Sequence, residues 1–517
     1  MFTKEVLIED FKKLGLKSGS VVLVHSALSS LGQVEGGAQT VIEALLATIG
    51  PEGTLLMPAL TRGSVEIPFS LKTPSYLGVI TETFRNYSKV QRSFHPTHSV
   101  LGLGKDASYL LADHLKADSA CGLGTPYHKL AALGGQVLML GVDLDRCTLL
   151  HTAEDLADCP FLSNRTFYYY DTKGEVQKMQ VARFPGPHRD FIGLDQHFRD
   201  LGIIEKGRVG NAVVRLIDAA KLLAEATSLL VKDPARVLCD NLNCEDCRRQ
   251  KGKIYAKRLK EEDFTLAALV ADFQPQNTSD LNRLSFWGVE TIELSDGLTN
   301  KLLINGSLFL ESFKESLNRC CLRVWGLGTI NLFEPEFNQV KLTRKTERLA
   351  ELATKLGAEF IRVKVQGTGE QNILSLIRAL ASKIHNWNLG LMLVNDANGP
   401  LASSQEVRRL FENLKNEQIE NVELAFCPQG FVASGEKPFL GAFHKLSKVM
   451  GNLYLTDSLT SGQQTLLAQG HGEVKELISA LRCRGFQGYF TVGSLMGSDP
   501  FGIERRLADF WDLFSTL

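Results

Sequence analysis

Eight short apolar runs punctuate residues 264–493: FTLAALVADF (264–273), VETIEL (289–294), CLRVWGL (321–327), FIRVKV (360–365), LGLMLV (389–394), VELAFC (422–427), NLYLTD (452–457) and GYFTVG (488–493). Segments with helical spacing at 345–356, 370–384, 404–415 and 473–484 separate several of them. Short, mainly apolar runs of this length are consistent with buried strands. Eight such strands with helices between them predict a (β/α)₈ TIM-like barrel over residues 251–517.

That leaves about half the chain. At 517 residues the sequence exceeds what one core organises, so a second domain over residues 1–250 is expected. Its rhythm is also α/β. Thr3 can cap a helix bearing Val6, Leu7, Phe11 and Leu14, with Gly15 as terminator. VVLVH (21–25), TLLMPAL (54–60) and QVLMLGV (136–142) read as buried strands, and Val41, Ile42, Leu45 and Ile49 mark a helix face between the first two. Thr125-Pro126 reads as an N-cap followed by the first helical position. The polar, cysteine-rich stretch around residues 230–262 marks the change from one domain to the next.

Chemistry-bearing residues favour the first half, which holds eight of the eleven histidines and six of the ten cysteines. Thr148, His151 and Glu154 fall three apart after the strand 136–142. On a helix they share one face. Glu154 can then fix the imidazole tautomer and leave the other ring nitrogen as a base near neutral pH. Between strand and helix, the small-residue segment 26–37 lets a ligand approach the backbone, although its glycine spacing is neither a dinucleotide fingerprint nor a phosphate-binding P-loop. Cys239, Cys244 and Cys247 supply three thiols, two of them in a Cys-x₂-Cys zinc half-site, with no fourth ligand evident nearby. If they hold zinc, its role is structural. Unliganded thiols are the alternative.

Five segments, taken in order, resemble the aminoglycoside 3-N-acetyltransferase family over residues 3–250: His25-Ser26-x-Leu28 with Gly32-x-Val34-x-Gly36-Gly37, GPEGTLLMP (50–58), RSFHPTHSV (92–100), GLGTPYHKL (122–130) and LGVDLDRCTLLHTAE (140–154). The resemblance implies an α/β fold, acetyl-CoA as donor and an amine acceptor, with antibiotic resistance as the associated role. It also implies catalytic roles for Thr148, His151 and Glu154. The coenzyme channel would be lined by His25, Ser26, Leu28, Ser29, Ser30, Leu31, Gly32, Val34, Gly36, Gly37, Ser99 and Val100, with His95 and His98 shaping its wall. The amine must lose a proton as it attacks the thioester, which His151 would accept while Glu154 stabilises the imidazolium. Cys147 is a rival nucleophile by position, but its place at a strand-end turn fits a structural residue better. A polycationic acceptor needs carboxylates, and Asp143, Asp145, Asp155 and Asp158 are the nearest in sequence.

The second half resembles the sugar phosphate isomerase/epimerase family in its strand rhythm and in GAEFIRVKV (357–365) and GHGEVKELISALRCRGFQGYFTVG (470–493). Such barrels hold a divalent metal through carboxylates and histidine at strand ends. Here those places carry Asn395, Asp396, Cys427, Tyr454, Asp457 and Gly493, which predicts a barrel without a catalytic metal. It would then add surface to the acceptor site, to the domain contact or to a homodimer.

Composition removes other classes. With 57 basic against 58 acidic residues the net charge is −1, which argues against nucleic acid or an anionic membrane as the partner. No apolar run reaches the roughly 20 residues of a membrane span, and sparse cysteines fit a reducing, cytoplasmic setting. An N-acetyltransferase acting on a small amine leads; a sugar isomerase working through the barrel, or a non-catalytic binding protein, are the alternatives.

Overall fold

Strand residues alternate sides, so a strand apolar throughout must be covered twice. The first strand, β1 (Val21–Ser26), sends Val22 and Val24 into one core and Leu23 into another. In chain order there follow β2 (Thr54–Pro58), β3 (Gln91–Arg92), β4 (Val100–Gly104), β5 (Gln136–Leu140), β6 (Ser163–Tyr170), β7 (Val176–Phe184), β8 (Ile204–Val209) and β9 (Ala212–Asp218). Seven of these form one sheet in the order β3-β4-β2-β1-β5-β9-β8, while β6 and β7 make a separate antiparallel pair. β1 lies between β2 and β5, parallel to both; β4 and β9 join antiparallel on either side. Helices Lys4–Leu14 and Gly37–Ile49 share the core of Val22 and Val24. Helices Pro126–Ala132, Thr148–Leu156 and Ala219–Lys232 share that of Leu23.

This computed structural model describes all residues except 187, 275–278, 332–338, 366–372 and 494–500. It divides into two compact units, Met1–Ile254 and Tyr255–Leu517. Among the described residues, no helix is long and apolar enough to cross a membrane.

The second unit contains β10 (Thr265–Val270), β11 (Thr291–Leu294), β12 (Arg323–Asn331), β13 (Phe360–Lys364), β14 (Gly390–Val394), β15 (Val422–Phe426), β16 (Met450–Leu455), β17 (Asp457–Ser458), β18 (Gln464–Thr465) and β19 (Tyr489–Val492). Strands β10 to β16 and β19 close into an eight-stranded barrel whose neighbours are all parallel. Helices Gln339–Leu356, Ile373–His385, Ser404–Asn416 and Val474–Cys483 occupy the segments expected to be helical, although 370–372 lie outside the described residues. β12 runs four residues beyond the apolar run that announces it. Gly328 lies in that extension because a Cβ there would stand 2.2 Å from Arg362 Nη2 and 2.3 Å from Asp296 Oδ1.

Polar chemistry sits inside the barrel. Trp325 stacks on Tyr489 with ring centroids 4.2 Å apart. Buried Arg362 pairs with buried Glu293, whose carboxylate also accepts from the Tyr454 hydroxyl at 2.8 Å. Asn395 is locked to Cys427 by reciprocal bonds of 2.9 and 2.7 Å, and Asp457 accepts from the backbone N–H groups of Ser458, Gly470 and Gly472. Removing one partner of a buried ion pair strands the other charge. Arg362→Leu is therefore expected to cost the barrel about 3–5 kcal/mol in urea unfolding followed by tryptophan fluorescence, and a loss below about 1 kcal/mol would remove the pair's structural role.

Candidate active site

The three parallel strands β2, β1 and β5 end on the same side, and a cavity of about 440 Å³ opens there. Crevices at the carboxyl ends of parallel strands are where open α/β sheets bind ligands. His25 and Ser26 from the end of β1 and Pro58 from the end of β2 line it. After β5 the chain turns through a short 3₁₀ segment, Leu144–Arg146, and starts the helix Thr148–Leu156. Leu149, Leu150 and Ala153 bury one side of that helix, and Thr152 Oγ1 ties it to the Cys121 carbonyl at 2.7 Å. The helical period then leaves Thr148 and His151 on the cavity wall.

His151 Nδ1 lies 2.8 Å from Glu154 Oε2, so the carboxylate occupies that nitrogen and Nε2 is the one left for the cavity. Phe191 packs edge-on against the ring at 5.2 Å. Glu154 is fully buried, and its other oxygen accepts from Arg189 Nε. Burial pushes the Glu154 carboxyl up, but the charges of Arg189 and His151 and their hydrogen bonds outweigh it, so the net shift is down and the group stays ionised. Arg189 is itself held over the Phe161 ring at 4.5 Å and donates to Gln250. The arrangement is an imidazole backed by an anion, which is backed by a cation.

Its neighbours are kept neutral. Burial, followed by the repulsion of His151, pulls His25 down to about 3. Burial with the charges of His151 and His114 does the same to His98, which also lines the cavity. His95 is fully buried behind it. Cys147, the rival nucleophile, is buried, and its thiol is pushed up to about 12. A thiol so held does not supply thiolate at neutral pH.

The expected channel residues divide. His25 and Ser26 line the cavity. Leu28, Ser29, Ser30 and Leu31 form a 3₁₀ turn in which Leu31 is wholly buried and Ser30 Oγ bonds the Ala27 carbonyl. Gly32 and Gly36 take φ of +82° and +72°, Val34 bridges to Phe2, and Gly37 opens the next helix; none of the segment 28–37 lines this cavity. Ser99 and Val100 are fully buried, Ser99 Oγ donating to the Ala59 carbonyl at 2.7 Å and Val100 pairing with Pro58, and neither lines this cavity.

Of the four carboxylates near the motif, Asp145 lines the cavity. Asp143 pairs with Arg215, while Asp155 and Asp158 pair with Arg183. Sequence reasoning missed Arg189, which lies 35 residues from Glu154 in no recognisable motif. It also missed Tyr76, Gly78, Thr81 and Arg146 on the wall. The three cysteines come together, and with them His188: the four ligand atoms of His188, Cys239, Cys244 and Cys247 all lie within 4.8 Å of one another.

A family profile described as Aminoglycoside 3-N-acetyltransferase matches residues 23–231. An SPbeta prophage-derived aminoglycoside N(3')-acetyltransferase-like protein of Bacillus subtilis is 38% identical, covering 45% of this chain and 94% of its own length. Aminoglycoside N(3)-acetyltransferase IV of a Salmonella species is 34% identical, over 45% of this chain and 88% of that protein. Among solved structures, AAC-IIIb in a binary complex with CoASH is 32% identical over 45% of this chain and 97% of that one, with a TM-score of 0.42. The barrel lies outside the profile's match. Through its first unit, the chain belongs to the aminoglycoside 3-N-acetyltransferase family, a family of N-acetyltransferases.

Proposed function

We propose that the cavity transfers the acetyl group of acetyl-CoA to an amine of an amino sugar or aminoglycoside-like acceptor, with His151 as base. The observation that carries this reading is the 2.8 Å pairing of His151 with a wholly buried, ionised Glu154 on the wall of a cavity inside the family-matched segment. His151 Nε2 takes the amine proton as the carbon–nitrogen bond forms, and Glu154 stabilises the imidazolium. The carbon–sulfur bond then breaks to expel coenzyme A as the thiolate, to which the imidazolium returns the proton. Thr148, one turn earlier on the same wall, donates a hydrogen bond to the reacting groups. His25, Ser26 and the neutral His98 shape the space. Asp145 receives an ammonium group of the acceptor. A lone wall carboxylate, one oxygen of which accepts from the Ile192 N–H at 3.2 Å, fits an acceptor docked through few positive charges better than one gripped at many.

Transfer is direct. With its thiol pushed up to about 12, Cys147 forms no acyl intermediate, so Cys147→Ala is expected to keep turnover within about threefold. Loss of turnover in a folded Cys147→Ala protein, together with an acetylated Cys147 peptide in the parent, would reverse that. The function itself is tested by thiol release from acetyl-CoA against a panel of aminoglycosides and simpler amino sugars. Amine-dependent release that saturates is expected. No release with any amine, from protein that binds coenzyme A, defeats the proposal.

Cys239, Cys244 and Cys247 are proposed to hold a structural zinc ion, at a distance in sequence from His151.

A further inference from the structure

We propose that His188 completes this zinc site with Cys239, Cys244 and Cys247, and that the bound ion positions Arg189 against Glu154 in the proposed acetyl-transfer site. Zinc sites of three thiolates and one imidazole are closed and tetrahedral. With Zn–S near 2.3 Å and Zn–N near 2.0–2.1 Å, neighbouring ligand atoms of such a tetrahedron stand about 3.5–3.8 Å apart. Here His188 Nδ1 lies 3.6 Å from Cys244 Sγ and 3.1 Å from Cys247 Sγ, and no two of the four ligand atoms are more than 4.8 Å apart. Two ligands are separated by two residues at the start of the helix Glu245–Leu259, which is the spacing a zinc half-site uses. His188 comes from 51 residues before Cys239, so an ion would tie two distant stretches of chain together.

The second half of the inference rests on the acetyltransferase reading and on adjacency. His188 and Arg189 are consecutive. The side chain of His188 reaches the cysteines, while that of Arg189 reaches Glu154 and Gln250. Arg189 Nη1 also donates to the His188 carbonyl at 2.7 Å, and Asp190 N to the Val237 carbonyl at 2.9 Å, two residues before Cys239. Gly186 admits this packing, because a Cβ there would come within 2.7 Å of Gln250 Oε1 and 3.1 Å of Arg189 Nη1. Between the end of β7 at Phe184 and the 3₁₀ turn Ile192–Leu194, the described residues lie in no helix or strand. The guanidinium that holds Glu154 is thus carried by a segment without ladder bonds, and a metal bond one residue away fixes it. Arg189 is a positioning residue, acting on His151 through Glu154.

The test uses the full chain, purified without chelator. Elemental analysis and native mass spectrometry should find one zinc per chain. Loss of an outer-shell partner of a zinc ligand already weakens binding about 10–100-fold, so His188→Ala should lower zinc affinity at least that much, while His188→Cys, a four-thiolate set, should retain the ion. Removing zinc, or His188→Ala, should lower kcat about tenfold and leave coenzyme A affinity within twofold, with His188→Cys restoring kcat. In an Arg189→Ala background, losing zinc should cost no further kcat, which a merely destabilising change would not satisfy. Cobalt(II) added to metal-free parent protein should give tetrahedral thiolate bands, a readout available if His188→Ala does not fold. Zinc absent from the parent, a disulfide among the cysteines in its place, or full zinc affinity in His188→Ala overturns the site. An unchanged kcat without zinc overturns the positioning role. Should the protein transfer no acetyl group at all, the acetyltransferase reading fails alone; zinc content still decides the site, and hydrogen exchange at residues 151–156 with and without zinc decides the coupling, unchanged protection counting against it.

Discussion

His151→Ala is expected to lower acetyl transfer by about 10²–10⁴-fold, the usual worth of a positioned base. No neighbour can replace it. His25 and His98 border the same cavity, but burial has pulled both down to about 3, far too low to accept a proton efficiently from an amine at neutral pH. Cys147 remains a thiol, and Glu154 is sealed beneath His151 with Arg189 on its other oxygen. The loss should therefore appear in kcat, with coenzyme A affinity by calorimetry and the unfolding midpoint nearly unchanged. Glu154→Gln should lose part of the same activity, because an amide cannot stabilise the imidazolium as a carboxylate does. A folded His151→Ala protein turning over near the parent rate on its true acceptor would remove His151 from the mechanism.

Much of this site was legible because it is local. The spacing Thr148-x₂-His151-x₂-Glu154 needs only a helix to become geometry, and the helix Thr148–Leu156 is there. Arg189 and His188 were not legible. Each reaches its partners across a long loop closure, and a solitary His-Arg pair in an irregular segment carries no periodicity to read. The same limit explains the channel. Residues 28–37 look accessible as a string of small side chains, but whether a strand-to-helix loop borders a cavity depends on what packs over it, and Leu31 and Val34 are drawn toward Asn211 and Phe2. Nor does sequence show that the Ser99 hydroxyl is engaged by the Ala59 carbonyl, a bond that depends on a neighbour 40 residues away.

The barrel's strands could be read because all eight are mainly apolar and helical segments separate several of them, which is what closure with cover on the outside demands. Its interior could not. Glu293 falls inside an apolar run, VETIEL, where a charge looks like an interruption. Only closure brings Arg362 and Tyr454 across the barrel to meet it. Thr125 makes the point on a smaller scale. It sits at the N-cap as its sequence suggests, yet its hydroxyl bonds back to the carbonyls of Cys121 and Gly122 and caps no helix N–H.

The first unit is expected to unfold in mild acid well before carboxylates titrate. Four buried histidines share the cause. Burial pulls His25 and His98 to about 3, His114 to about 4 and His95 well below its ordinary value. The groups facing them could add only like charge: the imidazoles of His151 on His25 and His98, of His114 on His95 and His98 and of His98 on His95, and the Lys129 ammonium on His114. An unfolded histidine binds its proton near pH 6.5, whereas these folded ones refuse it until far lower, so between those values the unfolded state carries more protons and stability rises with pH. The stabilisation is complete above about pH 6.5 and is lost as pH falls toward 3–4. From pH 6.5 to 5.5 each histidine gives up roughly 1 kcal/mol, on the order of 4 kcal/mol together, against a total stability of about 5–15 kcal/mol for a typical domain. Glu154 adds nothing in that window, since its depressed carboxyl is lost only at lower pH. The two units can be told apart, because all four tryptophans, Trp287, Trp325, Trp387 and Trp511, lie in the barrel unit. Urea unfolding at pH 7.5 and 5.5 should show a circular-dichroism transition that moves to lower urea while the tryptophan transition moves much less. His114→Gln, which can keep a bond to Ser93 or to the Ala120 carbonyl without a titrating ring, should shrink that movement. If the parent's circular-dichroism midpoint is the same at both pH values, the buried histidines are taking up protons in the folded state and the closed, neutral packing around the cavity is wrong.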